Sequence, residues 1–286
     1  MDKVVEALQI KKATIKDGEN KEYEMNGSIE CKGIRGTDRR KYLLDLIRLT
    51  PRDANYSEEQ YSARVVRREL MMLYQKTKSL EYAKKQMEGE PTEAPTKLTK
   101  PAEDAKEEEK KQYVEERSKE INEFKTEQLQ KIEKHVEAAE QFSFNVNVYT
   151  NANQVEGSDF GKEKSLVDDL AKFLLETQIP KIVTELKGTE NVPNDHESLK
   201  SHFHANGVNM RYLGKVYDQV KDSHIAKLVQ RDIFLRSAKH IINEQLRTCP
   251  AGDLGVVAAH ILNCIFAPEK MEMEKIKFTE PEKPQL

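Results

Sequence analysis

The segment that most constrains the fold lies at residues 87–112 and reads MEGEPTEAPTKLTKPAEDAKEEEKKQ. It contains three prolines and almost no large apolar side chain. A segment of this composition cannot bury enough apolar surface to offset the entropy lost on ordering, so we predict a charged, disordered or extended linker. The chain of 286 residues therefore cannot form one continuous core, and it is expected to fold as two regions.

The N-terminal region, residues 1–86, is predicted to contain a small sheet followed by a helix. Apolar and polar residues alternate loosely around Asn26-Gly27, which is a tight-turn signal. A second hairpin is expected to turn at Gly36 to Arg39, so we predict a small antiparallel sheet over residues 21–47. Ser57 is a candidate N-cap for a helix within SEEQYSARVVRRELMMLYQ.

Residues 113–141 are predicted to form one long, highly charged helix. Over residues 103–120, 13 of 18 side chains are charged, and the apolar positions that follow form only a thin stripe without a clean heptad. A helix of this kind is usually a solvent-exposed rod, and the alternative is a helix that pairs with a partner. We expect protein partners to bind the chain at this helix.

Residues 142–268 are predicted to be a helical central domain, with residues 269–286 as a flexible tail. The domain begins with FSFNVNVYT, whose alternation fits either a strand or an extended segment across a helical surface. Apolar residues recur every seven positions at Leu228, Leu235 and Ile242. The segment GDLGVVAAHILNCIFAP is apolar nearly all round, which predicts a helix at the centre of a bundle. The expected fold class is α+β, a small antiparallel sheet lobe followed by a mainly α-helical bundle lobe.

Local signals place three helix ends in this domain. Pro180 is expected to kink or restart a helix, because proline has no backbone N–H and clashes with the preceding turn. The segment DHESLKSHFHANG begins at an aspartate N-cap and closes at Asn206-Gly207, a typical C-terminal stop. A helix is therefore predicted between these two signals.

Composition restricts the compartment and argues against membrane insertion. No run of about 18 apolar residues is present, so no membrane span is expected. The first 20 residues contain acids as well as lysines and lack the apolar core of a signal peptide. Three scattered cysteines form no CxxC pair, which fits a reducing environment. We therefore expect a cytoplasmic protein.

Motifs for catalysis or cofactor binding are not found. The sequence has neither a GxSxG motif nor a phosphate-binding P-loop. His202 and His204 are two residues apart and would point to opposite sides of a helix, so no metal site is expected. TDRRKYLLDL resembles the metal-binding strand of kinase-like lobes, but no glycine-rich loop or HRD accompanies Asp45. We expect no enzyme and no cofactor, with degenerate nucleotide binding as a remote alternative.

Cations concentrate in two stretches despite a net charge of −3. Between Lys32 and Arg68 there are ten Lys or Arg against five Asp or Glu, and between Glu197 and Pro250 nine against five. Such stretches can present a positive face to a phosphate backbone, although lysine and arginine also dominate ordinary solvated surfaces. The candidate RNA- or partner-binding residues are Arg35, Arg39, Arg40, Arg48, Arg52, Asn209, Arg211, Tyr212, Lys215 and Arg231.

Residues 204–220, HANGVNMRYLGKVYDQV, form a predicted corner between two helices. Gly207 is expected to end the first helix, and Asn209 is placed to cap the next. Arg211 and Lys215 either pair with carboxylates or face phosphate. Two interpretations stay open: a structural corner that satisfies backbone groups, or a site of direct ligand contact.

Two motifs in the same order resemble the clustered mitochondria protein family. The first resembles the end of that family's Clu domain, and it is matched at Gly36, Asp38, Arg40, Tyr42, Leu44, Asp45, Arg48, Pro51 and Asp53. The second resembles a string in the central region, matched at His204, Gly207, Asn209, Arg211, Tyr212, Leu213, Gly214 and Lys215. The resemblance runs to about Ala267 and is broken by an insert at residues 87–140. Arg39 stands where the family usually has glycine.

The resemblance implies a cytosolic protein that associates with messenger RNAs for mitochondrial proteins and with translating ribosomes. It also implies similarity to a protein once described as a component of translation initiation factor three. The family's ubiquitin-like portion, the start of its Clu domain and its tetratricopeptide repeats are missing, so we expect a fragment or a reduced relative. The leading hypothesis is an RNA- or ribosome-associated protein, and the alternative is a scaffold subunit that docks through the charged helix and tail.

Overall fold

The computed structural model describes residues 5, 8–58, 63–91, 94, 98, 100–101, 106–150, 159–188 and 192–266. The chain divides into two compact units, and we describe each unit by itself. Unit 1 comprises Met1–Pro180 and Phe203–Asn209, and unit 2 comprises Lys181–His202 and Met210–Leu286. The predicted tail, residues 269–286, and much of the predicted linker lie outside the described residues. Strands at the N-terminus are followed by helices, which confirms the α+β prediction.

Two separate β-hairpins open unit 1. Strand β1 (Ala13–Lys16) pairs antiparallel with β2 (Glu22–Met25), and β3 (Lys32–Arg35) pairs antiparallel with β4 (Lys41–Leu44). The two pairs are distinct two-stranded sheets, where we predicted a single sheet over residues 21–47.

The side chain of Asp17 stabilises the first turn, between β1 and β2. The Asp17 carboxylate accepts hydrogen bonds from the backbone N–H groups of Glu19 at 2.9 Å and Lys21 at 3.0 Å. These bonds close the turn between β1 and β2, so Asn26-Gly27 becomes the link between the hairpins. The second turn lies between Arg35 and Lys41, and its prediction is confirmed.

Helix α1 (Arg68–Gln86) of unit 1 begins eleven residues after the predicted cap at Ser57. The chain before it is extended, because residues 64–66 pair with residues 51–53. The Asp53 N–H donates to the Arg64 carbonyl at 3.0 Å, and the Val66 N–H donates to the Pro51 carbonyl at 2.9 Å. Backbone groups already engaged in this pairing cannot join a helix, so the predicted start was wrong.

The long charged helix is present as α2 (Glu107–Ala138) and packs against α1. It begins six residues earlier than predicted, with three glutamates in its first turn. Negative side chains at that end stabilise a helix by interacting with its positive N-terminal dipole. None of the 32 residues of α2 is buried, as expected for a solvent-exposed helix.

Aromatic side chains form the core of unit 1 around Tyr74 of α1. The Tyr74 ring meets three other rings edge-on, with centroid distances of 5.5 Å to Phe142, 6.1 Å to Phe144 and 5.4 Å to Phe173. Phe144 is fully buried and makes a single bridge to Ile10. Residues 142–145 of FSFNVNVYT are therefore extended and residues 146–149 form turns, so the segment is not a strand of a sheet.

The helix α3 (Phe160–Phe173) runs through a π-helical turn at Leu174–Gln178 into α4 (Ile179–Lys187). A π turn widens the helix by one residue, and such turns lie where the normal hydrogen-bond ladder is interrupted. Pro180 is the second residue after this turn, so the predicted interruption of the helix lies just before the proline.

The remaining helices are α5 (His196–Ala205), α6 (Leu213–Val220), α7 (Ala226–Thr248) and α8 (Leu254–Phe266). Contacts within unit 2 join α6 to α7 and α7 to α8. The predicted cap of α5 is confirmed, because the Asp195 carboxylate accepts from the Ser198 N–H at 2.7 Å.

Burial on the last two helices differs from the sequence prediction. The buried residues of α7 include Val229 and Asp232, whereas Leu235 of the predicted seven-residue stripe is 53% exposed. Among the described side chains of α8 only Val257 is buried, and Val256 is 65% exposed. The placement of α8 at the centre of a bundle was therefore wrong, because α7 covers only one of its faces.

Candidate nucleic-acid interface

Three of the predicted cationic residues surround the turn between β3 and β4. Arg39 adopts a left-handed backbone conformation with φ of 64°. The Gly36 N–H donates to the Arg40 carbonyl at 2.8 Å, and the Arg39 N–H donates to the Gly36 carbonyl at 3.0 Å. Glycine adopts positive φ without strain, so Arg39 holds the conformation that glycine would favour at this position.

Hydrogen bonds to the side-chain carboxylate of Asp38 also stabilise this turn. The carboxylate accepts from the Tyr42 hydroxyl at 2.6 Å and from the Arg40 N–H at 3.0 Å. The Tyr42 hydroxyl, followed by the Arg40 N–H, lowers the pKa of Asp38, and the same Asp38 bond raises the pKa of Tyr42. A Cβ atom at Gly36 would lie 2.5 Å from this carboxylate and 2.7 Å from the Tyr42 ring, so a larger residue there would displace the two side chains that hold the turn.

The turn presents its cations to solvent. Arg35, Arg39 and Arg40 are exposed, as is the neighbouring Lys41. The side chain of Arg40 is 80% exposed and lies 3.7 Å from the Asp38 carboxylate, a distance too long for a strong pair. We name these four residues the hairpin tip. Their arrangement can place several positive charges along a polyanion without first breaking buried contacts.

Arg48 and Arg52 lie in an internal cluster instead. The Arg48 guanidinium lies 2.7 Å from the Glu30 carboxylate, and Arg52 binds the other oxygen of the same carboxylate. Arg52 also donates to the Tyr149 carbonyl at 2.6 Å and is only 9% exposed. The structure thus assigns these two arginines to holding unit 1 together rather than to an outer surface.

Backbone geometry ends α5 at the predicted corner. The Val208 N–H donates to the Phe203 carbonyl at 2.9 Å, and the Gly207 N–H donates to the His204 carbonyl at 3.0 Å. With Gly207 at φ of 73°, this is the Schellman arrangement that satisfies the last carbonyls of a helix. A Cβ atom at residue 207 would lie 2.5 Å from the Cα atom of Leu70, so the close approach also requires glycine.

Asn209 contributes to the same corner through a tertiary hydrogen bond. Its side-chain amide donates to the Val65 carbonyl at 3.1 Å, which ties the corner to the extended segment before α1. The amide nitrogen of Asn209 thus binds a backbone acceptor of the tertiary structure, and the cap expected from its side-chain oxygen stays a prediction. For Asn209 the structural interpretation of the corner is favoured.

The other corner residues lie in unit 2. Tyr212 is fully buried, and the Arg211 guanidinium lies over its ring at 5.7 Å from the centroid. Lys215 on α6 is exposed, and Arg231 on α7 is exposed. The structure therefore brings Arg211 and Tyr212 together, and it leaves Lys215 and Arg231 on the surface.

A further polar cluster in unit 2 was not found from the sequence. Asp232 is 2% exposed and binds the His196 ring and the Arg236 guanidinium, the latter at 2.9 Å. The spacing of Asp232 and Arg236 on α7 is a recognisable sequence signal for an ion pair. His196 lies 36 residues before Asp232, so local spacing could not have identified it.

Neither a metal cluster nor a membrane-spanning helix is found among the described residues. In that part of the chain, no group of three or more His, Cys, Asp and Glu side chains is placed to hold a metal ion. The described helices are also too short or too polar to cross a bilayer.

Comparison with known proteins identifies relatives over most of the chain. Residues 1–56 match the family model described as Clustered mitochondria, and residues 190–285 match that described as Translation initiation factor eIF3 subunit 135. The chain is 32% identical over 283 residues to a clustered mitochondria protein homolog of Aspergillus fumigatus, covering 94% of this chain and 21% of that protein. It is 32% identical over 285 residues to the clustered mitochondria protein of Arabidopsis thaliana, covering 92% of this chain and 20% of that protein. No solved structure matches the chain.

The fold and the site define an α+β protein with an exposed basic hairpin and an internal arginine–glutamate cluster. The chain belongs to the clustered mitochondria protein family, and it spans about a fifth of the length of the curated relatives it matches. The predicted link to translation initiation factor three is confirmed at the level of sequence similarity by the second family model.

Proposed function

We propose that this chain is a non-enzymatic, cytosolic RNA- or ribosome-associated protein that affects the translation or distribution of messenger RNAs for mitochondrial proteins. The observation that carries the proposal is the hairpin tip, where Arg35, Arg39, Arg40 and Lys41 are all exposed. Long cations in this arrangement contact backbone phosphates without needing a particular base sequence.

An aromatic ring beside these cations also fits a single-stranded ligand. Tyr42 is 44% exposed even though its hydroxyl donates to Asp38. A fixed phenol that shows part of its ring can stack with a base, and stacking tolerates every base because each has an aromatic face. The match of residues 190–285 to a family described as a translation initiation factor subunit supports the same role.

The test measures RNA binding by a variant that removes three charges and retains the turn. The triple variant Arg35→Ala, Arg39→Gly, Arg40→Ala keeps a residue at position 39 that accepts positive φ. Binding of a fluorescein-labelled ten-nucleotide polyuridylate would be measured by fluorescence anisotropy over a range of salt concentrations. We expect weaker binding and a slope of log affinity against log salt that is flatter by about 2, at roughly 0.7 per lost phosphate contact.

The matched control is Lys76→Ala, Lys85→Ala, which removes two exposed charges from α1 of the same unit. This control is expected to bind the RNA almost as the unaltered chain does. Failure of the unaltered chain to bind RNA or to sediment with ribosomes would overturn the proposed function. Equal binding by the triple variant would remove the hairpin tip as an RNA contact.

A scaffold function is the second candidate, favoured by apolar residues on exposed helices. Val114 and Leu129 on α2 are 60% and 59% exposed, and Val256 on α8 is 65% exposed. Exposed apolar surface of this kind is typical of protein-binding helices. Purification from native cells, with mass spectrometry and RNA sequencing of the same eluate, distinguishes the two. A stoichiometric complex without RNA would favour the scaffold.

A further inference from the structure

A shallow groove in unit 2 carries cations that the hairpin tip does not explain. It encloses about 510 Å³ between the segment before α5 and the beginning of α7. One part of its wall is cationic and is formed by Lys227 and Arg231, with the ring of His224 beside them. Another part is apolar and includes Pro193 and Leu228, with the amide of Asn194 nearby. We name this the unit 2 groove.

The cations of the unit 2 groove are available to a ligand. Lys227 and Arg231 are exposed, and neither forms an ion pair or a hydrogen bond with another described residue. No carboxylate is found among the described side chains that line the groove. The charge that these residues carry is therefore not cancelled within the groove by that part of the chain.

The nearest acid on α7 is already neutralised. Asp232 follows Arg231 in sequence, but it is 2% exposed and binds both His196 and Arg236. The first turn of α7 contains no acidic residue, and its N-cap Ile225 lines the groove. The positive end of a helix adjacent to two exposed cations strengthens the attraction for an anion.

The apolar wall selects among anions. A phosphate group alone gains nothing from Pro193 and Leu228, whereas a nucleotide has both a phosphate and a base whose flat aromatic faces can pack on apolar side chains. Imidazole is one of the rings on which RNA bases stack, and His224 lines the groove beside these two residues. A volume of about 510 Å³ lies within the usual range for a small-molecule site.

We propose that the unit 2 groove binds one nucleotide of a single-stranded RNA, with the phosphate on Lys227 and Arg231 and the base against His224, Pro193 and Leu228. The Asn194 amide is placed to hydrogen-bond the base edge. This inference rests on the proposed function and assigns it a second contact, in the other unit from the hairpin tip. Of these residues, only Arg231 is among the candidate residues that the sequence indicated.

The experiment compares two double variants of the full chain on the same helix. Lys227→Ala, Arg231→Ala removes the cations of the groove, and Lys239→Ala, Arg247→Ala removes an exposed lysine and an exposed arginine that do not line it. The probe is the fluorescein-labelled ten-nucleotide polyuridylate, measured by anisotropy at several salt concentrations. Circular dichroism and thermal unfolding would check that both variants are folded.

The groove variant is expected to bind the RNA about tenfold more weakly, and its salt slope should be flatter by about 1.4 for two lost phosphate contacts. The control variant should lose less than about threefold, since it removes only long-range attraction. Inorganic polyphosphate of similar charge should compete poorly, and Leu228→Asn should reduce the preference for RNA over polyphosphate.

The outcomes separate this inference from the proposed function. If the unaltered chain binds RNA and the two double variants lose affinity equally, the groove is not an RNA site and the proposed function stands. If polyphosphate competes as well as RNA does, the groove binds phosphate alone and the nucleotide assignment is overturned. If the unaltered chain binds no RNA, both proposals fail.

Discussion

At the scale of single residues, Gly207 is required both by space and by its positive φ, whereas Gly36 has no positive φ and has only side chains as near neighbours. Gly36 lies against the Asp38 carboxylate, and Gly207 lies against the backbone of Leu70. Gly214 belongs to the same family motif as Gly207, but a Cβ atom at residue 214 would meet no neighbouring atom within 4 Å. The motif therefore combines a glycine that the structure needs with one that it does not.

Gly207→Ala is expected to destabilise the protein by about 3 kcal/mol, because alanine at positive φ is strained and its Cβ meets the Leu70 backbone. Gly214→Ala is the matched control. It lies in α6 at an exposed position and should stabilise by roughly 0.5–1 kcal/mol through helix propensity. Urea unfolding of both variants checks this. Equal stability of the two would contradict the assigned contact.

Because Tyr42 donates a hydrogen bond to Asp38, removing the Tyr42 hydroxyl should change the pKa of Asp38. Tyr42→Phe removes the largest cause of the lowered pKa of Asp38, so this pKa should rise towards its ordinary value of 3.8. Because the folded pKa lies below the ordinary one, Asp38 stabilises the hairpin above about pH 3.8, and this stability is lost as the pH falls through the folded value.

Carboxyl carbon chemical shifts followed by NMR against pH would measure the change. Asp17 provides an internal control, since the Lys21 N–H lowers its pKa in the other hairpin and Tyr42 takes no part there. The pKa of Asp17 should be the same in both proteins. An unchanged pKa of Asp38 in the Tyr42→Phe variant would show that the phenol does not hold this carboxylate in solution.

At the scale of secondary-structure elements, one carboxylate joins three parts of unit 1. Glu30 precedes β3, Arg48 lies in the short helix after β4, and Arg52 reaches the carbonyl of Tyr149 in the turn at residues 146–149. Arg52 is 9% exposed and Glu30 is 23% exposed, so removing Glu30 leaves a buried guanidinium without its carboxylate, which costs more than breaking an exposed pair.

Glu30→Ala is therefore expected to reduce the free energy of unfolding by about 3 kcal/mol. The comparison is Glu81→Ala, which breaks an exposed pair with Lys78 of 2.8 Å on α1 and should cost less than about 0.5 kcal/mol. Chemical unfolding monitored by circular dichroism measures both. A small change in the free energy of unfolding of Glu30→Ala would mean that water solvates Arg48 and Arg52 once Glu30 is removed.

At the scale of the whole molecule, each unit combines a buried core with solvent-facing helices. Unit 1 has the aromatic core around Tyr74 and the exposed α2, and in unit 2 the described side chains of α8 are buried only at Val257. The chain corresponds to about a fifth of its curated relatives. The exposed apolar residues of α8 are the observation that favours the second candidate, a scaffold function.

Neighbouring valines on α8 test this burial pattern. Val257 is 1% exposed and Val256 is 65% exposed. Val257→Ala should destabilise by about 2 kcal/mol, and Val256→Ala should change stability by less than about 0.5 kcal/mol. Thermal unfolding gives the comparison. If Val256→Ala proved as costly as Val257→Ala, α8 would be covered in solution on both sides.

The sequence by itself determined the features that depend on neighbouring residues. Gly207 and Asp195 mark the ends of α5, and the turn between β3 and β4 lies where its glycine and aspartate indicated. Each of these is fixed within about five residues, because a turn or a helix cap uses the hydrogen bonds of its own segment. The family motifs were visible for the same reason.

Tertiary structure decided which side chains are internal and which face solvent. Arg40 and Arg52 are the same residue type in one basic stretch, yet Arg40 is exposed and Arg52 binds Glu30 and a carbonyl 97 residues away. Likewise Asn209 donates to Val65, 144 residues earlier, and α8 is apolar but covered on one face only. Partners this distant are brought together only by the packed chain, so local sequence pattern carries no signal for them.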